Sequence, residues 1–439
     1  MRSKLIMSNS ATAISPAPSS GSPRRLPGVV WATGWVSLLT DMSTELIYAV
    51  LPAFYQTVLG LNVFQQGLVE GVAEAIASVT KLFSGHWSDR TGGRKWWMVA
   101  GYGLSSLSKP LLVLPGLNVG GAVGLRAADR FGKGIRGAPR DALISLSIDK
   151  SQRGHAFGIN RAMDHFGAMA GALIAGTLLL FGWTNLHHLF YWTLLPGGAA
   201  VLVILIFIRD PRSGVPDSAA GKPPAPALTP ISIAQAWAHQ PPSFRRFLAV
   251  LAVFSLGNST DALLLLRARQ QMTAGGWSAA VATACLPFLW ALLHVFKSAS
   301  SAWAGRLSDR IGRRGPLQTA WFIYALVYLG FAIPFAGTIS VAVPWVLFAV
   351  YGFYFGLAEG PQGALVADLC RRGQERGTAY GLYHFIVGIS ALPASLLCGG
   401  LWWALDKVHP GLGPLMAFGT GATLALAAAL LLPWSLRRA

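Results

Sequence analysis

Acidic and basic side chains recur at helical spacing inside long apolar runs. Asp41 and Glu45 stand four residues apart, as do Glu70 and Glu74, and Lys81 follows two turns beyond Glu74. The stretch "LRAADRFGKGIRGAPRDALI" holds Arg126, Asp129, Arg130, Lys133, Arg136, Arg140 and Asp141. "NRAMDH" adds Arg161, Asp164 and His165, and later runs carry Asp261, Arg267, His294, Lys297, Glu359, Tyr383 and His384. A buried carboxylate beside an arginine can exchange a proton when a solute occupies its partner. Asp41 and Glu45 are the first candidates for that exchange, and a structural ion pair is the competing role for each acid. His165, His294 and His384 titrate in the working range, although a lone histidine on a polar-lined helix more often serves as a hydrogen-bonding group.

A charge at mid-bilayer costs about 2.5–3.5 kcal/mol, so seven of them facing lipid would cost about 20 kcal/mol. The run from Arg126 to Asp141 must therefore face something wetter. Arg126, Arg130, Lys133 and Arg140 advance by four, three and seven residues, one helical stripe about 20 Å long. The stripe is expected to line a water-filled cavity or its mouth, with Arg126 and Arg130 deepest and best placed to meet solute. Gly132, Gly134, Gly137 and Pro139 allow the helix to break nearby. Arg136, Arg140 and Asp141 would then lie at the interface, binding solute or pairing with Asp89.

The elements that hold these groups follow from composition. Of 439 residues 53% are hydrophobic and 12% charged, against about 25% charged in soluble domains. Apolar runs near the 20 residues of one span must be helical, because lipid satisfies no backbone group; their Leu, Ala and Gly content also favours helices over barrel strands. Twelve such runs are predicted, at 29–56, 66–87, 95–116, 119–144, 154–181, 187–208, 246–269, 279–303, 315–337, 341–367, 377–402 and 412–434. The fold class is an all-α integral membrane protein of two six-helix bundles. Residues 1–28 read as a disordered cytoplasmic tail, 29–208 as the first bundle, 209–243 as a Pro/Ala/Gly-rich cytoplasmic linker and 244–439 as the second bundle.

The net charge of +18 is topological. Arg24, Arg90, Arg94, Lys150, Arg209, Arg246, Arg313 and Arg371 all fall on one side of a twelve-span chain. The opposite loops are bare of Lys and Arg save for Arg267, Arg269 and Lys407. This asymmetry puts both termini in the cytoplasm of a plasma (bacterial inner) membrane and argues against a nucleic-acid partner. Cys285, Cys370 and Cys398 have no metal spacing and His187–His188 sits in an external turn, so no metal and no cofactor are expected. Neither a P-loop nor HExxH is present, which excludes an ATP-driven pump and leaves no enzyme signature.

The two halves repeat. "SDR" recurs at 88–90 and 308–310, and the same offset of 220 carries Asp41 onto Asp261. "PRDALI" at 139–144 parallels "PQGALV" at 361–366, and "RGHAFG" at 153–158 parallels "RGTAYG" at 376–381. A duplicated unit of this kind places a substrate site between the halves near the midplane.

Two charged knots name a family. Gly85, Asp89, Arg90, Gly92, Arg94 and Lys95 in "GHWSDRTGGRK" resemble the loop 2–3 signature of the major facilitator superfamily. Gly305, Asp309, Arg310, Gly312 and Arg313 in "GRLSDRIGRRG" repeat it. The resemblance implies rocker-switch alternating access, with the knots latching the cytoplasmic ends together in the outward-facing state. It also implies that helices 1, 4, 7 and 10 line the cavity, bringing Asp41, Arg126, Arg130, Asp261 and Glu359 together. Gly158, Gly167, Gly171 and Gly176 in helix 5 keep the spacing of the antiporter pattern, with Ala172 and Ala175 as departures; they imply export by antiport, or else form a small-residue packing face. The helix 4 block looks like that of a prokaryotic subgroup. The expected function is a monomeric, proton-coupled secondary transporter exporting a small polar or charged solute. The basic stripe tilts that solute toward an anion, a zwitterion or a metal chelate such as a siderophore. A multidrug efflux antiporter and a receptor or scaffold that kept the fold are the alternatives.

Overall fold

A chain in lipid must satisfy its backbone within each span, and among the described residues this one does so with helices alone. The computed structural model describes residues 26–91, 93–148, 153–182, 185–209, 233–370 and 376–437. The first half comprises α1 (Gly28–Tyr48), α2 (Leu51–Thr57), α3 (Val63–Thr91) and α4 (Arg94–Leu111). It continues with α5 (Val119–Leu146), α6 (Arg153–Leu180), α7 (Leu186–Trp192) and α8 (Leu194–Phe207). A short α9 (Ile233–Ala238) precedes α10 (Pro242–Gly257), α11 (Asp261–Ala274), α12 (Ala279–Ile311) and α13 (Arg314–Ala332). The chain ends with α14 (Gly337–Leu369), α15 (Arg376–Asp406) and α16 (Leu412–Ser435).

Three predicted spans are each two helices. The first divides at Ala49–Val50, just before Pro52, which lacks an N–H to continue the ladder. The sixth divides into α7 and α8 at Thr193. The seventh unwinds over Asn258–Thr260, where the Thr260 hydroxyl caps α11 by accepting from Ala262 N at 3.4 Å. Seven helical stretches among the described residues are long and apolar enough to cross a membrane. α3 and α5, though long, are not among them, because they carry the interior charges.

The halves meet along two seams, α3 against α15 and α6 against α12. The repeat is visible in atomic detail. A Cβ on Gly134 of α5 would lie 2.5 Å from Cβ of Thr80 on α3, and one on Gly356 of α14 would collide with Ser300 on α12. Those are equivalent positions under the offsets of 220 and 222 read from the sequence. At the end of the molecule where α4 opens and α16 closes, Lys95 Nζ donates to Leu205 O (2.7 Å) and Arg246 Nη2 to Arg437 O (2.6 Å), each bond within one half. At the far end the halves touch: Arg269 Nη1 donates to Gln56 Oε1 at 2.9 Å, and the Phe64 and Trp403 rings lie 6.2 Å apart. Arg267, another basic residue outside the main asymmetry, caps α13 by donating to Phe331 O (3.0 Å) and Ile333 O (3.3 Å).

Candidate functional site

Arg126 leaves α5 toward α3 and is 1% exposed. Its Nε and Nη2 donate to the two oxygens of Glu70 at 2.8 and 2.7 Å, and its Nη1 donates to Asp129 Oδ2 at 2.8 Å. Tyr55 of α2 donates to the same Glu70 (2.7 Å), and Ser105 of α4 to Asp129 (2.5 Å). Lys109 of α4, equally buried, donates to Ser43 Oγ at 3.1 Å, and Ser43 in turn donates to Thr193 O at 2.9 Å. Two carboxylates and two cations thus balance within one buried cluster. The planar guanidinium fork suits this two-oxygen grip. Arg126 was expected on a water-filled cavity and instead ties four helices together, because a buried ion needs close opposite charge to offset the cost of leaving water.

The rest of the stripe is also mostly spoken for. Arg130 Nη2 lies 3.2 Å from Glu74 Oε1, and its guanidinium sits 5.9 Å from the centre of the Tyr48 ring. Arg136 stacks over Tyr102 at 4.3 Å. Arg140 bonds Asp141 (3.0 Å) and Ser37 (2.8 Å) and reaches Asp164 at 3.8 Å. Asp164 therefore turns toward Arg140, while its sequence neighbour Arg161 is exposed. Lys133 alone of the stripe is exposed with no ion pair among the described residues. The predicted break near Gly132–Pro139 does not occur; α5 runs through Pro139 to Leu146.

Between the halves lies a cavity of about 260 Å³. The first half contributes Tyr48, Glu74 and Ser78; the second contributes the unwound turn 258–260 with Ser255, Asp261, Tyr351, Phe355 and Ser395. Asp261 Oδ1 accepts from Tyr351 OH at 2.7 Å. Of the five residues expected to converge, Asp261 lines this cavity and Arg130 reaches it through Glu74 and Tyr48. Arg126 is sealed off, and Asp41 and Glu359 lie outside the lining. Asp41 is half-buried and makes no hydrogen bond or ion pair among the described residues. Glu359, exposed, pairs with Lys297 at 2.6 Å, and His384, also exposed, packs on the Tyr383 ring at 4.8 Å. A larger hollow of about 580 Å³ along His188, Tyr191, Trp192 and Leu195 is an open apolar outer surface without convergent polar groups.

Glu45 spans the halves. Its Oε2 accepts from Trp290 Nε1 of α12 at 2.7 Å. The Trp290 ring lies 5.0 Å from Tyr48 of α1 and 5.4 Å from His294, which lies 6.4 Å from His165 of α6. Both His294 ring nitrogens are buried without a hydrogen-bond partner.

The second knot closes on its own half. Gly312 ends α12 at φ +89°, a conformation that favours glycine. Arg313 then pairs with Asp309, donates to Ser308 Oγ (3.0 Å) and reaches Asp368 at the end of α14 (3.5 Å). Gly305 meets open space and Arg310 is exposed. These bonds tie the α12–α13 turn to α14 rather than half to half. In the first knot α3 continues through Gly85, Asp89 and Arg90, whose side chains lie outside the described residues, as does Gly92; Arg94 opens α4. Among the helix 5 glycines, Gly167 and Gly171 press on the α1 backbone at Leu38 and Met42, Gly176 meets Phe288, and Gly158 faces open space.

Charge clusters alone missed Lys109, a lone cation in "LSSLSKPLLVL" whose cost in mid-span was the available signal. They also passed over Tyr55, Ser105 and Asp129 as members of one network. Trp290 and Tyr351 carry no local signal, since aromatic residues are ordinary in such helices.

Residues 33–395 match one family from α1 into α15. The chain belongs to the Major Facilitator Superfamily. It is 35% identical over 413 residues to an uncharacterized MFS-type transporter of Methanocaldococcus jannaschii, covering 93% of this chain and 95% of that one. An uncharacterized protein of Mycobacterium tuberculosis is 31% identical over 378 residues, covering 84% of this chain and 85% of that one. Among solved structures, a nucleoside transporter superposes with a TM-score of 0.75 at 12% identity, covering 93% of this chain and all of that one. A D-xylose-proton symporter gives 0.65 at 15% identity, covering 92% and 96%. At such identities the structural likeness carries the fold alone. As a superfamily member the protein is an integral membrane secondary transporter for a small molecule, and not an enzyme.

Proposed function

We propose that the protein is a proton-coupled exporter of a small polar or charged solute, working as a monomer by rocker-switch alternating access. Both termini face the cytoplasm of a plasma (bacterial inner) membrane in this reading, supported by the basic asymmetry of the turns. The helix 5 spacing supports export, although three of its glycines also serve packing.

The observation that carries proton coupling is the Glu45–Trp290 bond between the halves. Asp41 on the same helix, and Arg130 and Lys133 on α5, act on Glu45 electrostatically. An ionised carboxylate accepts a hydrogen bond roughly twice as strong as a neutral acceptor does. Loading a proton onto Glu45 therefore loosens a contact that holds the halves together, and releasing it restores the contact. That links proton occupancy to which face is open.

Proteoliposomes carrying an imposed pH gradient and a lumenal pH dye test this. Small amines, sugars and carboxylates are added in turn and proton movement is recorded. Glu45→Gln is expected to lose gradient-driven flux by at least about tenfold while solute exchange at equal pH persists. Undiminished gradient-driven flux in Glu45→Gln would remove Glu45 from the coupling. No solute movement under any condition would favour a receptor or scaffold.

A further inference from the structure

We propose that the cavity between the halves is a binding site for a small polyhydroxylated primary amine, with the size and chemistry of an amino sugar. The site rests on its own lining, and the transporter reading enters only at the step after binding.

Two carboxylates and no basic side chain face this cavity. Glu74 is compensated from behind by Arg130 at 3.2 Å. Asp261 is not compensated: it accepts from Tyr351 OH at 2.7 Å and has no Lys or Arg pair among the described residues. Lys297, the cation that acts on it from α12, is already engaged by Glu359 at 2.6 Å. The lining thus holds one excess negative charge in a partly enclosed space, and such a charge calls for a cation. A carboxylate or phosphate solute would meet Asp261 with nothing to offset the repulsion. The basic stripe that suggested an anion is turned elsewhere.

Hydroxyl and amide groups dominate the remaining polar surface. Ser255 lines the cavity though only 5% exposed, and its hydroxyl makes no hydrogen bond among the described residues; the same holds for the hydroxyl of Ser78, also in the lining. Asn258 accepts from Tyr324 OH at 3.1 Å through Oδ1, leaving its amide N–H groups for an occupant. These groups belong to the place where the seventh span unwinds, a recurrent source of transporter binding sites. A hydrocarbon-rich drug would leave them unpaired, at about 1–3 kcal/mol for each buried group. Tyr351 and Phe355 supply flat apolar walls. The volume of 260 Å³ equals that of about nine water molecules, which suits a single sugar ring and excludes a large chelate.

The test uses the full chain purified in detergent and three ligands of matched size: D-glucosamine, D-glucose and D-glucuronate. Calorimetry is run at about pH 7, still below the range in which such an amine loses its proton. D-glucosamine is expected to bind at least about tenfold tighter than D-glucose, with no binding of D-glucuronate. Asp261→Asn should lower D-glucosamine to the D-glucose level without weakening D-glucose. Tighter binding of D-glucuronate, equal binding of D-glucose and D-glucosamine, or binding of none of the three overturns the proposal. Should Asp261→Asn fail to fold, the ranking on the unaltered chain still decides. If D-glucosamine binds with the expected selectivity but undergoes no counterflow in proteoliposomes, the site stands and the transport reading fails.

Discussion

In the first half Glu70 of α3 grips Arg126 of α5 through both carboxylate oxygens. The repeat carries those two positions onto Trp290 of α12 and Phe348 of α14, whose rings meet edge to face with centroids 6.5 Å apart. Charge fills one interior and aromatic carbon the other. Around Arg126 the bonds spread to Asp129, Tyr55 and Ser105. The second half builds aromatic stacks instead: Phe254 on Trp321 at 4.7 Å, Tyr324 on Tyr328 at 4.3 Å, and Tyr351 on Tyr354 at 5.5 Å. The same helix crossing is therefore stable with either chemistry. The difference lies in tolerance. An ion pair in low dielectric fixes donor and acceptor at one geometry, and losing a single partner strands a charge. Aromatic contacts are individually weak and bear small displacements. The first half is thus the stricter frame, and the second half, unwound at 258–260, supplies most of the cavity's polar lining.

The largest expected effect tests that strictness. Glu70→Gln keeps the shape but leaves the buried cluster one positive charge in excess, with Asp129 alone facing Arg126, and should cost about 3–5 kcal/mol of stability, read as a lowered melting temperature in detergent. Glu70→Leu combined with Arg126→Met should recover most of the loss. If the single and double variants melt alike, the ion pair does not constrain the first half. At the equivalent position in the other half, Phe348→Leu should cost under about 1.5 kcal/mol in the same assay; a loss matching that of Glu70→Gln would erase the contrast. The smallest effect belongs to the exposed pair. Glu359→Gln should change stability by less than about 1 kcal/mol, and added salt should shrink even that.

Much of this arrangement was legible in the sequence. Lipid leaves a chain few choices, so apolar runs announced their helices and the basic turns lined up on one side. The repeat offsets of 220 and 222 found real counterparts in Gly134 on Thr80 and Gly356 on Ser300. Interior detail was less accessible. Four basic residues on one face of α5 read as a single stripe, yet Arg126 faces Glu70, Arg130 faces Glu74 and Arg140 faces Ser37 and Asp164. Pro139 looked like a place for α5 to stop, and the packed helix absorbs it.

What the sequence by itself determined was the membrane class, the duplicated halves and the family, because each depends on the order of residue types along one chain. Only the tertiary structure decided which charges are sealed and which face the crevice. Helical spacing fixes the side of a helix on which a residue lies, but the helix standing opposite determines whether that residue meets a partner, a ring or open space.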